Sequence, residues 1–165
     1  MENKEILDNK IQEKFGASLL TVGQDFDFPV YEFTKPEIKN AIAWMKQEQG
    51  FIYLTTLCGL HFPDNEKSRE FAMMYQLHNL VANQRVRFKT FMSREDMQLP
   101  TIIDIYDAAN WMEREAFDFF GFTFEGHPKM VRILNMEEMN YHPMRKEYPL
   151  EDLQREDKDD KFFGR

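Results

Sequence analysis

The sequence predicts an α+β fold: a small, mostly antiparallel sheet with helices packed on it, followed by an extended C-terminal arm. Three observations carry this. Residues 85–92 alternate apolar and polar side chains and lie one short Ala82-Asn83 turn after residues 69–80, so the two runs pair as a hairpin. Segments with a helical repeat of apolar residues stop at Gly16, Gly50 and Gly121. Between Gly126 and Pro149 the chain carries Pro128, Pro143 and Pro149 and no long periodic segment, which argues against a helix there. The expected boundaries are 1–125 for a single α+β domain, 126–149 for a docking arm and 150–165 for a charged tail.

Taken in order, residues 2–15 read as a short amphipathic helix with Ile6, Leu7, Ile11 and Phe15 inward. In residues 26–33, Phe26, Phe28 and Val30 alternate with Asp25, Asp27 and Pro29, as in a half-buried strand that Pro29 pushes toward a sheet edge. Thr34 and Glu37 have the spacing of a capping box, Pro36 falls in the first turn, and Ile38, Ile42 and Met45 share one face. Residues 51–60 form a continuous apolar run that suits a central strand, followed by a loop at Phe62-Pro63-Asp64-Asn65. Residues 69–80 fit a helix through Phe71, Met74 and Leu77 or a strand through Phe71, Met73, Tyr75 and Leu77, and the alternation of the next run decides for the strand. Arg85, Arg87 and Lys89 then form a basic row that is a solvated face, a docking surface or a support for an acidic helix. Pro100-Thr101 opens a short turn of helix over residues 102–106.

The next helix, residues 108–120, leads into the arm and is the most informative stretch. A 100° step places Ala108, Met112, Ala116, Phe119 and Phe120 on one apolar arc with Trp111 and Glu115 at its edge. Glu115 is therefore expected inward, Glu113 on the other flank, and Arg114 and Asp118 as an i, i+4 pair toward solvent. Glu115, Asp118 and His127 could converge on a metal only through tertiary folding, and Glu113 and Glu115 point to different sides, which weighs against a shared acid/base site. The structural alternative is that Glu115 is partly buried and held by Arg132 or Arg145.

At 165 residues the chain fits one domain. Its formal charge of −8 weighs against a nucleic-acid surface. Cys58 is the only cysteine, which excludes an internal disulfide and a four-cysteine iron-sulfur cluster held by this chain alone. The seven glycines form no phosphate-binding loop or dinucleotide fingerprint. Residues 50–62, the longest nearly uncharged stretch, are too few to span a bilayer, and the N-terminus lacks the apolar run of a secretory signal, so the chain is expected on the cytoplasmic side. Sixteen Phe and eleven Met point to some burial against other proteins.

The pattern Trp111-x-Glu113-Arg114-Glu115-x-x-Asp118-x-x-Gly121, then Gly126-His127-Pro128, Arg132-Ile133-Leu134 and Pro143-x-Arg145-Lys146-x-Tyr148-Pro149, resembles the 30 kDa-type or C subunit of respiratory complex I. The motifs cover about the last third of the chain, and the element order most of the rest. Met139, Tyr141, Glu147 and His61 stand where that family usually has tryptophan, glycine, aspartate and aspartate. The resemblance implies a cofactor-free structural subunit of the peripheral arm of a proton-pumping NADH:quinone oxidoreductase. It would contact two neighbours, the quinone-site D subunit together with the cluster-bearing B subunit, while iron-sulfur clusters, flavin, NADH and quinone bind elsewhere in the assembly. It further implies a peripheral protein on the cytoplasmic face of the bacterial membrane, touching lipid only through the complex, and makes the signature residues interface or fold-fixing groups. Related hydrogenase-type complexes carry a similar subunit, and a stand-alone metal-dependent hydrolase using Glu115, Asp118 and His127, or a free-standing adaptor that binds through the arm, would be a different class of function.

Two expectations concern the arm and tail. Met130, Val131, Ile133, Leu134, Met136, Met139, Tyr141, Met144 and Tyr148 are too much apolar surface for a solvated linker, so the arm should wrap a neighbour, with Val131, Ile133 and Leu134 packing on this chain's own domain. Arg145, next to Pro143 and Tyr148, is expected to be a desolvated, planar anchor to a carboxylate, with the partner as one source of it. The tail is either a solubilising run or a segment anchored by Phe162 and Phe163 on a partner.

Overall fold

The computed structural model describes residues 2–26 and 28–148, the side chains of residues 2–4 aside. The element order is α1 (Glu2–Phe15), β1 (Leu19–Asp25), β2 (Phe28–Phe33), α2 (Ile38–Gln49), β3 (Tyr53–His61), β4 (Phe71–Asn79), β5 (Gln84–Met92), β6 (Gln98–Pro100), α3 (Ala109–Phe120) and β7 (Thr123–Glu125). Five strands form one sheet in the order β1-β2-β5-β4-β3, and β6 and β7 form a short parallel pair. Only the β2–β5 contact in the main sheet is parallel, so the α+β, mostly antiparallel architecture is as expected.

The sheet's registers sort its side chains onto two faces. Leu57, Gly59 and His61 of β3 stand opposite Tyr75, Met73 and Phe71 of β4, which stand opposite Phe88, Thr90 and Met92 of β5, and Tyr31 of β2 joins Phe88. This face is the core side. It is covered by Leu7 and Ile11 of α1, by Ile38, Ile42 and Met45 of α2, and by Ala109 and Ala116 of α3. Burying a Phe or Leu side chain there contributes about 1.5–3 kcal/mol, which is why period-2 strands and period-3.6 helices in one sequence settle into this layer arrangement. On the opposite face Asp25, at the β1–β2 hairpin, accepts from Lys89 Nζ at 2.6 Å and Arg87 NH1 at 3.5 Å. The lysine hydrogen bond is the main reason that Asp25 ionises below its ordinary value. Arg87 and Lys89 of the basic row thus brace the first hairpin, while Arg85 stays exposed.

Several local expectations are corrected. The strand β1 has no sequence signature because it is exposed on both faces and alternates nothing. Phe26 lies in the hairpin turn, not in a strand, and β2 is an interior strand. Pro29 is tolerated because β2 pairs with β5 only from Val30 onward. The helix α2 begins after Glu37 without a side-chain cap, and Thr34 instead accepts the Glu37 N–H through its carbonyl at 3.1 Å, so the capping box does not form. The strand β3 is an edge strand, not a central one. Ile6 is 53% exposed, since α1 covers the sheet with Leu7 and Ile11 alone on that turn.

Candidate functional site

The last turn of α3 and the arm form one hydrogen-bonded unit. An α-helix leaves its last four carbonyls without intrahelical partners. Here all four are taken. Phe117 O accepts from Gly121 N at 2.8 Å, Asp118 O from Arg132 NH1 and His142 Nδ1 at 3.0 Å each, Phe119 O from Met144 N at 3.1 Å, and Phe120 O from Arg145 Nε at 2.8 Å. Two guanidinium groups at a helix C-terminus also suit its dipole. Gly121 makes room for them with a left-handed φ of 85°, and a Cβ there would lie 2.6 Å from Arg145 and 2.8 Å from His142.

Asp118 is the centre of the unit. Its side chain is fully buried, with Oδ1 accepting from Arg132 NH1 at 2.6 Å and Asn135 Nδ2 at 3.0 Å. Its Oδ2 accepts the backbone N–H groups of Ile133, Leu134 and Asn135 at 3.1, 2.8 and 2.9 Å. Burial alone would raise its pKa, but the donors from Asn135, Leu134 and Arg132 together hold it far below the usual carboxylate range. Arg132 turns back to the Met139 and Tyr141 carbonyls at 2.6 and 3.0 Å, and so folds the arm on itself. Arg114 donates to the carbonyls of Val131 and Arg132, both at 3.1 Å.

Glu113 is the second buried acid. It accepts from Thr101 Oγ1 at 2.6 Å and Ile102 N at 2.8 Å, which ties α3 to the turn before it. Burial raises its pKa, with the two hydrogen bonds opposing that shift. At the far end of the arm, Lys146 N donates to His61 Nδ1 at 2.9 Å, which assigns the proton of the neutral ring to Nε2, 3.2 Å from Glu70. The ring stacks on Phe71 at 4.3 Å, and Arg94 bridges Glu70 and Glu147 at 2.6 to 3.0 Å.

The helical phase expected for the acids is reversed. Glu115 is exposed, Glu113 and Asp118 are buried, Ala108 is exposed, and Arg114 holds the arm's backbone instead of Asp118. The wheel takes its phase from Ala108, Met112, Phe119 and Phe120, which are exposed or half-buried, whereas the buried side of the helix is Ala109, Glu113, Ala116 and Asp118, whose acids have enough donors to stay inside. Neither Arg132 nor Arg145 holds Glu115. Arg145 caps α3 from within the chain, its guanidinium 5.4 Å from the Phe71 ring, and the carboxylate it faces is Glu147, with NH1 4.0 Å from Oε1. His127 Nδ1 accepts from Lys129 N at 3.0 Å and its Nε2–H faces Asn110 O at 3.3 Å. With Asp118 saturated and Glu115 in solvent, the three groups do not form a ligand set, and no group of three His, Cys, Asp or Glu among the described residues could hold a metal ion. Trp111 is 59% exposed, Pro128 and Lys146 lie on the surface, Pro143 and Tyr148 flank the Arg145 turn, and Pro149 lies outside the described residues, as do residues 150–165. Sequence reasoning missed His142, His61 and Arg94. The available signal was a helix with no basic residue in its last turn, followed by an arm rich in cations.

The arm's other side faces outward: Leu134 and Met136 are 68% and 69% exposed, with Tyr141, Met144 and Tyr148 also accessible. Leu134 therefore does not pack on the domain, although Val131 and Ile133 are half-buried.

Residues 31–154 match the family described as the 30 kDa subunit of respiratory-chain NADH dehydrogenase. The chain belongs to this family. It is 37% identical over 147 residues to the NADH-quinone oxidoreductase C subunit of Trichlorobacter lovleyi, covering 89% of this chain and 90% of that one. It is 35% identical to the Phenylobacterium zucineum C subunit over 78% of this chain and 61% of the relative. A C/D subunit of Acinetobacter baumannii matches at 31% identity over 84% of this chain but only 24% of its own length. Among solved structures, a trypsin-resistant fragment of Nqo5 superposes with a TM-score of 0.67 at 26% identity, covering 78% of this chain and 99% of the fragment. A chain of an archaeal membrane-bound sulfane sulfur reductase superposes with a TM-score of 0.74 at 27% identity, covering 91% of this chain and 87% of that one. The match makes this 30 kDa-type chain part of an oxidoreductase complex, and among its described residues no helix is long and apolar enough to cross a membrane.

Proposed function

We propose that this chain is a cofactor-free scaffold of the peripheral arm of a proton-pumping NADH:quinone oxidoreductase, on the cytoplasmic face of the membrane. The observation that carries the reading is the two-sided arm. Its Arg132, His142 and Arg145 side chains and the N–H groups of residues 133–135 are committed to the end of α3, while Leu134, Met136, Tyr141, Met144 and Tyr148 are turned outward. Exposed Leu134, Met136, Tyr141, Met144 and Tyr148 make a surface suited to a protein neighbour. The quinone-site D subunit is the first candidate, supported by relatives in which C and D are one polypeptide. The cluster-bearing B subunit follows from the family's arrangement. The signature residues Glu113, Arg114, Asp118, Gly121, Arg132 and Arg145 fix the fold under that surface.

A second reading is the equivalent subunit of a complex with another electron donor, favoured by the superposition on the sulfane sulfur reductase chain. Affinity purification of the tagged chain from native membranes, with mass spectrometry and an NADH oxidation assay, separates the two. Recovery of the quinone-site and cluster-bearing subunits with NADH:quinone activity is expected. Recovery of proteins similar to those two without an NADH-oxidising module supports the second reading, and recovery of neither sinks both.

A further inference from the structure

The two edges of the five-stranded sheet differ. The strand β3 runs against α3, and a Cβ on its Gly59 would lie 2.5 Å from the Phe122 ring. The strand β1 is exposed almost throughout, with Leu20 57% and Val22 48% accessible. Pro29 fixes which way its backbone points. A proline has no N–H, so the pair Gln24↔Pro29 is not one that exchanges two hydrogen bonds. Such pairs alternate along an antiparallel ladder, so Gly23↔Val30 is hydrogen-bonded and Val22↔Tyr31 is not. The N–H and C=O of Val22 therefore point away from β2, to the open edge.

Natural edges are blunted by lysine, inward charge, proline or a bulge. From Ser18 to Gln24 this chain has no charge and no proline, in a sequence of which 30% is charged. Its bulge, at Leu20, lies near the start of the strand and leaves residues 21–25 in unbroken register. Beside the edge, at the hairpin tip, Phe26 is 92% exposed with a φ of 57°, a left-handed conformation that an aromatic residue rarely takes.

We propose that the outer edge of β1 receives an extended strand from another subunit of the respiratory complex, making the sheet six-stranded, with Phe26 seated on that neighbour. Only an extended backbone offers N–H and C=O groups at the spacing that Val22 presents. The incoming strand is uncharged where it faces Leu20 and Val22. A second copy of this chain fits less well, because two-fold pairing about Val22 sets the bulge at Leu20 against the straight backbone at Gln24 in both halves. The inference rests on the reading of the chain as a complex subunit.

Hydrogen–deuterium exchange on the isolated chain and on the complex purified from native membranes tests it, together with a photo-crosslinking amino acid at position 22. The Val22 amide should exchange freely in the isolated chain and about 100-fold or more slowly in the complex, with position 22 crosslinking to a strand of another subunit. Val22→Pro, which removes an outward N–H at an edge position where proline is tolerated, should leave the isolated chain folded with its sheet intact and reduce incorporation into the complex. Equal exchange of the Val22 amide in both samples, or a crosslink to a second copy, overturns the proposal. If residues 134–144 gain protection in the complex and Val22 does not, the edge proposal alone fails. If neither gains protection, the subunit reading fails with it.

Discussion

The β4–β5 hairpin places Phe71, Met73, Tyr75, Leu77, Val86 and Phe88 in the core at 1% exposure or less, whereas residues 126–148 bury no side chain to the same class and depend on Asp118, Arg132, Arg145 and backbone N–H groups. Apolar burial is insensitive to pH and indifferent to direction. A carboxylate that collects five hydrogen bonds is neither. The arm's geometry is thus fixed more narrowly than the sheet's, and it is also more easily switched off, by one substitution or by acid.

The largest expected effect is on the sheet side. Phe88→Ala should destabilise the whole domain by about 3–5 kcal/mol, read as a single lowered Tm in calorimetry. Asp118→Ala should cost about 3 kcal/mol by taking the carboxylate from Arg132 and Asn135 and leaving the N–H groups of Ile133, Leu134 and Asn135 unpartnered, but the loss should appear first as proteolysis of the arm. If Asp118→Ala unfolds the sheet and the arm together, the contrast between the two regions is wrong. Arg145→Ala should cost about 1–2 kcal/mol in the isolated chain, since it strips a helix-capping donor, and loosen residues 142–148 in hydrogen exchange.

Acid sharpens the comparison. The folded Asp118 carboxyl titrates far below its ordinary value of 3.8, so its stabilisation is complete above that value and is lost progressively as pH falls below it. Glu113 is shifted upward, so its contribution is greatest below its ordinary 4.5 and declines as pH rises from there to its folded value. Fluorescence-detected unfolding as pH falls below the ordinary Asp value of 3.8 should show the arm released before the sheet, and Asp118→Asn should remove that early phase. The smallest effect is expected for Glu115→Ala, within about 0.5 kcal/mol by thermal melting, because that side chain is in solvent.

The apolar elements were legible in the sequence because burial imposes a period: α2, β3, β4 and β5 fall within a few residues of their expected places. The strand β1 was not, since an edge exposed on both faces has no period to read. The stretch from α3 into the arm was singled out, yet Glu113, Glu115 and Asp118 received the wrong sides. Which acid is buried depends on donors supplied by Thr101, Ile102, Arg132 and residues 133–135, and those meet α3 only after the chain has folded. Arg145 is the same case: its partner is the carbonyl of Phe120, which no residue type announces.

The parallel contact between β2 and β5 has a consequence for synthesis. The strand β5 follows β2 by about 60 residues, so at typical translation rates it is finished about 3–12 s after β2. During that interval the β1–β2 hairpin has no sheet to join, and a lone hairpin is marginal in water. The nascent chain must therefore carry Tyr31 and Phe33 uncovered, or lodged on α1 and α2, until the β4–β5 hairpin closes, which makes the N-terminal third the segment most exposed to chaperones and to mispairing on the ribosome.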